Sequence, residues 1–137
     1  MRSLYLLLTL GTFLSTQGKS QKPCNPVRFE IVKKIYQKAG GMQYVSVAVP
    51  RTAIYENEIR GIGCELKKRF ASAAIVDVGI FDDKRAAELV NFTYEQRGYE
   101  QLYRAYRGRY YFDRDTGREY LEFSPQRDSA KQRIELH

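Results

Sequence analysis

The stretch Ala74-Ile75-Val76-Asp77-Val78-Gly79-Ile80-Phe81 limits most sharply what this chain can fold into. It is almost continuously apolar and short, which suits a central strand covered on both sides rather than a half-exposed one. A second apolar stretch, Tyr44 to Pro50, precedes it. Between the two, Ile59, Ile62, Leu66 and Phe70 recur at helical spacing and predict an amphipathic helix from about Ile54 to Phe70. A strand, helix, strand unit crosses over right-handed, so the two strands pair in parallel.

The rest of the chain adds hairpins to that unit. Val27, Phe29 and Ile31 alternate with Arg28 and Glu30, and Ala39-Gly40-Gly41 then breaks the chain, which reads as a hairpin leading into Tyr44. Ile31, Ile35, Tyr36 and Ala39 fit helical spacing as well, so residues 27–38 stay open between strand and helix. After Phe81, Asp82 and Asp83 are suited to cap a helix through Ala86, Ala87, Leu89 and Val90 that Gly98 stops.

Residues 107–112 and 118–123 flank the turn-forming Asp113-Arg114-Asp115-Thr116-Gly117. Placing Tyr110 opposite Glu119 and Gly108 opposite Leu121 puts Tyr106, Tyr110, Phe112, Leu121 and Phe123 on one face. The other face then sets Arg107 against Glu122 and Arg109 against Tyr120. The expected fold class is α+β: a mixed sheet of about five strands with two helices packed on one face, in the order ββαβαββ. From Tyr44 to Ala87, the strand, the helix and Val78-Gly79-Ile80-Phe81-Asp82-Asp83 followed by Ala86-Ala87 form a pattern that resembles small bacterial exported domains of uncharacterised function. The resemblance covers about a third of the chain and implies fold rather than activity.

Met1-Arg2-Ser3 and the uncharged run of 11 residues from Leu4 to Leu14 are followed by the small polar Ser15 to Ser20. A spanning helix needs about 20 apolar residues, so this is the pattern of a secretory signal peptide. The expected organisation is a signal peptide over 1–18, an N-terminal arm over 19–26, one domain over 27–125 and a flexible tail over 126–137, in a periplasmic or secreted bacterial protein that is not an integral membrane protein. The only two cysteines, Cys24 and Cys64, can then form one disulfide. Cys64 lies on the helix face opposite the apolar stripe, so the bond would pin the arm across the outside of the helix.

The single histidine, His137, leaves no His-based metal or catalytic set, and no phosphate loop, dinucleotide fingerprint, nucleophile elbow or zinc spacing occurs. No cofactor is expected. Between Arg97 and Phe123 arginines and aromatics alternate, the residue types that pair with anions and stack on rings. Six arginines there meet five acids, which argues against nucleic acid as the partner. The positive excess sits instead between Lys19 and Arg51, seven basic residues against Glu30 alone.

Candidate binding residues are therefore Arg107, Arg109, Tyr111 and Tyr120 on the hairpin, with Lys33 and Lys34 near the basic first hairpin. The expected function is a non-enzymatic exported module that binds a macromolecule, an anionic cell-envelope component being the natural class; oligomeric state is left open. The alternative is a small metal-dependent hydrolase using Asp82 and Asp83 where the central strand ends. Helix capping accounts for the same two residues. Asp113 to Gly117 has partial calcium-loop spacing, but Ser124 stands where the bidentate Glu belongs, so it reads as a turn. Asn91-Phe92-Thr93 matches a glycosylation sequon that a bacterial chain would leave unused.

Overall fold

A computed structural model describes residues 23–90, 99–125 and 129–136. Residues 1–18, expected as a signal peptide, the sequon at Asn91, Gly98 and His137 lie outside the described residues. The elements are β1 (Glu30–Gln37), β2 (Met42–Ala48), α1 (Glu56–Arg69), β3 (Ile75–Phe81), α2 (Lys84–Leu89), α3 (Tyr99–Ala105), β4 (Tyr106–Asp113), β5 (Glu119–Phe123) and β6 (Gln132–Leu136). They build one mixed sheet whose spatial order follows the chain, β1-β2-β3-β4-β5-β6. Only β2 and β3 run parallel, joined across α1, and every other neighbouring pair is antiparallel.

The α+β mixed sheet is the expected class, with three differences: a sixth strand, a third helix (α3) before β4, and helices on both faces. Residues 30–37 are strand, which resolves the open choice at the first segment. The segment expected as a flexible tail contains β6, making six strands; Ile134 and Leu136 alternate with Arg133 and Glu135 and pack against the main core. The helices occupy both faces rather than one. Ile59, Ile62 and Leu66 of α1 are fully buried against Val45, Val47, Val76, Val78, Ile80, Tyr110 and Leu121. Ala86 and Ala87 of α2 join Phe81, Ala105, Leu102 and Tyr106 in a second cluster on the opposite face. The apolar run of β3 already required two covers, because its successive side chains point to opposite sides.

Helix α1 comes close to the sheet on one side and to the N-terminal arm on the other because it carries a glycine at each contact. A Cβ at Gly63 would strike the buried ring of Tyr110, and one at Gly61 would strike Val27 and the Asn25 carbonyl of the N-terminal arm. The arm thus crosses α1 on the side away from the sheet, and the Cys24–Cys64 disulfide fixes it there with a Cα separation of 5.6 Å. Closing a loop with a sequence separation of 40 should stabilise the fold by about 4 kcal/mol. No helix among the described residues is long and apolar enough to cross a membrane.

The β4–β5 hairpin pairs Phe112 with Glu119, Tyr110 with Leu121 and Gly108 with Phe123, two residues away from the expected register. The turn is tighter than expected: the Asp113 carboxylate accepts from the Asp115 and Thr116 N–H groups at 3.0 and 3.2 Å, and the Asp113 N–H donates to the Arg118 carbonyl at 2.8 Å. A slip of two keeps every residue of a regular strand on its own face. Tyr110, Phe112, Leu121 and Phe123 accordingly remain together on the α1 side.

Candidate functional site

Arg107 and Arg109 are two apart on β4 and would share a face of a regular strand. They do not meet, because the β3–β4 register shifts: Ile80 pairs with Gly108 but Phe81 with Tyr106, which leaves Arg107 as the extra residue of a bulge. The shift also moves Tyr106 to the α2 side, where its ring meets Phe81 edge-on at 5.6 Å, away from the face expected for it. Arg107 turns inward and its Nε donates to Asp82 Oδ2 at 2.6 Å, with the two side chains 2% and 0% exposed. It also donates to the Tyr106 and Arg104 carbonyls, and Asp82 N–H donates to the Ala105 carbonyl at 2.9 Å. Arg107 therefore cross-links the end of β3 to the α3–β4 junction and is not part of an open binding surface.

Asp83 accepts from the Ala86 N–H at 3.0 Å and caps α2, as helix capping predicts. The carboxylates named for the metal alternative are thus held by different partners, Arg107 and the start of α2. Among the described residues no three His, Cys, Asp or Glu side chains converge.

Arg109, Tyr111 and Tyr120 do come together, on the α2 side of the sheet but beyond the helices, since α2 packs on β1, β2 and β3. Tyr111 and Tyr120 are paired across β4 and β5, and their rings stack at 4.9 Å with an interplanar angle of 18°. Arg109 forms a two-point pair with Asp77 of β3, with both N–H···O distances at 2.7 Å. That pairing holds the Arg109 guanidinium firmly protonated. The same guanidinium lies 5.5 and 5.7 Å from the centroids of Tyr111 and Tyr120.

Two arginines absent from the expected set complete the patch. Arg133 of β6 sits 3.9 Å from the Tyr120 centroid and Arg118 sits 5.1 Å from it. Arg133 is also tied to Glu122 and Glu135 at 3.2 and 2.8 Å. For Arg118, no carboxylate among the described residues lies at ion-pair distance, and its side chain is exposed. The sequence signal for Arg118 is its place two residues before Tyr120, on the same strand face. Arg133 was hidden in a segment read as tail.

Arg133 on the β6 side and Tyr111 on the β4 side cover the faces of the Tyr120 ring, which is 5% exposed. Stacking a ligand on Tyr120 is therefore blocked. What the patch offers is a row of guanidinium N–H donors fixed on an aromatic base, a geometry suited to carboxylate, sulfate or phosphate oxygens. Behind it, burial is the main cause that raises the hydroxyls of Tyr44 and Tyr106 well above the ordinary tyrosine value of 10.0, so both stay neutral.

The two lysines part company. Lys33 turns to α2 and donates to the Val90 carbonyl at 2.8 Å, while Lys34, next along β1, is exposed and points to the opposite face. Neither adjoins the arginine and tyrosine patch. Comparison with protein-family models, with curated proteins and with solved structures finds no match for this chain.

Proposed function

We propose that this chain is an exported, non-enzymatic binding module whose open sheet face takes an anionic polymer of the cell envelope. The observation that carries the reading is the patch of Arg109, Arg118 and Arg133 on the stacked Tyr111 and Tyr120, on the part of the sheet that α2 leaves uncovered. Asp77 and Glu122 neutralise two of the three guanidiniums, so affinity per site is modest and repeated anionic groups are favoured over a single ion. The disulfide fits an oxidising compartment, and the signal-like start of the sequence supports delivery there.

The test is retention of the purified chain on immobilised dextran sulfate and on cell-envelope fractions, at about 20 and about 500 mM salt. Retention should be lost at high salt and weakened by Arg118→Glu, while Lys34→Ala, on the other face, should leave it unchanged. Binding that ignores salt, or that survives Arg118→Glu combined with Tyr111→Ala, removes the open face from the reading.

A further inference from the structure

The two edges of the sheet are built differently. At the β1 edge the strand is bulged between Ile31 and Lys33, carries Lys33 and Lys34 in succession, and is strapped to α2 by Lys33–Val90 and Lys84–Glu30 contacts. Bulges and like charges are devices that stop an edge from pairing with another chain. The β6 edge has neither a bulge nor a run of one charge. Its five residues, Gln132-Arg133-Ile134-Glu135-Leu136, pair regularly with β5 on one side and have no strand on the other among the described residues.

We propose that a second copy of this chain pairs with that edge, β6 against β6 in antiparallel register centred on Ile134. The sequence is self-complementary in this register and in no neighbouring one. Arg133 faces Glu135 of the second copy, Glu135 faces its Arg133, and Ile134 faces Ile134 across a twofold axis. A shift that centres the pairing on Arg133 or on Glu135 sets like charges directly opposite.

Two further features lie where this arrangement needs them. On the α1 face, Ile134 and Leu136 are half-buried at the sheet margin and complete the core only on one side. Beside them is a groove of about 460 Å³ lined by Tyr55, Glu56, Arg60, Phe123, Pro125 and Gln132. In the proposed register Leu136 of the second copy stands opposite Gln132, at the mouth of this groove, next to Tyr55, which is 54% exposed. The twofold axis runs through the sheet, so both copies present the arginine and tyrosine patch on the same side of one continuous sheet. The dimer shares Arg133 with that patch but does not depend on what the patch binds.

Sedimentation equilibrium of the purified oxidised chain over a wide concentration range should show reversible dimerisation. Glu135→Arg should weaken it by about tenfold or more while the circular dichroism stays native, because like charges then oppose each other twice. Mixing the Glu135→Arg chain with an Arg133→Glu chain should restore the association as a heterodimer. Should Glu135→Arg disturb folding, Ile134→Cys gives a second reading. Opposite Cα atoms in antiparallel pairs lie within disulfide range, so mild oxidation should cross-link Ile134→Cys but not Gln132→Cys. A chain that stays monomeric throughout, a dimer indifferent to Glu135→Arg, or cross-linking of Gln132→Cys in preference to Ile134→Cys overturns the proposal.

Discussion

Two ends of one sheet face use the same pair of residue types to different effect. At the end roofed by α2 and α3, Arg107 meets Asp82 with both side chains out of contact with water. At the end left uncovered by α2, Arg109 meets Asp77, and about a third of the arginine side chain remains accessible. Geometry barely separates the pairs, since the closest N–H···O distances are 2.6 and 2.7 Å. Burial separates them. A charge without water depends wholly on its partner, whereas a half-exposed guanidinium can keep its carboxylate and still present donors outward.

The contrast is broken most readily by removing one partner at each end. Asp82→Ala should cost about 3–5 kcal/mol in urea unfolding, because Arg107 stays behind without a counter-charge. Asp77→Ala should cost only about 1–2 kcal/mol, since Arg109 can turn to water. Equal losses would mean that exposure does not govern the two pairs. Replacing Arg107 and Asp82 together by apolar residues should restore part of the stability lost in the single variant.

Alkaline pH sharpens the comparison next. Tyr106 is neutral in the fold, with its hydroxyl raised by burial, while in the unfolded chain it ionises near the ordinary value of 10.0. The unfolded chain then holds fewer protons than the folded one above that pH. The contribution of Tyr106 is therefore full below about pH 10 and is lost as pH rises above it, by up to about 1.4 kcal/mol per pH unit. Tyr106→Phe should flatten this loss more than Tyr111→Phe, because Tyr111 lies at the open end. The smallest effect belongs to Arg118→Ala, whose exposed side chain touches only Tyr120 among the described contacts; unfolding should shift by no more than about 0.5 kcal/mol.

Much of this was legible in the residues. The period-2 and period-3.6 patterns located β2, β3, β4, β5 and α1, and the wheel position of Cys64 together with the arm carrying Cys24 pointed to the bond that forms. From Gly108 onward the hairpin faces were right although its register was two residues off, because alternation fixes parity and only the turn fixes pairing; Tyr106, before the bulge, fell on the other face. Arg107 was misplaced for a related reason. A bulge is set by how β4 must enter the sheet after α3, and nothing in Tyr106-Arg107-Gly108 marks the residue that will be extra. β6 was missed because three of the five residues from Gln132 to Leu136 are polar and the segment looks solvated until Leu121 and Glu122 are there to pair with it. Helices on both faces were implied by the nearly continuous apolar run of β3, which only Asp77 interrupts, a clue stronger than the short amphipathic pattern around Ala86.

The bond between Cys24 and Cys64 also decides how the molecule would answer a pull. Tension applied to anything upstream of Cys24 passes through the two sulfurs into the middle of α1, bypassing the chain between them. β1 and β2 lie entirely within that bypassed segment and cannot be drawn out while the bond lasts. A chain anchored or tugged from its front end would thus keep its outermost strand zipped, and only reduction would let it peel.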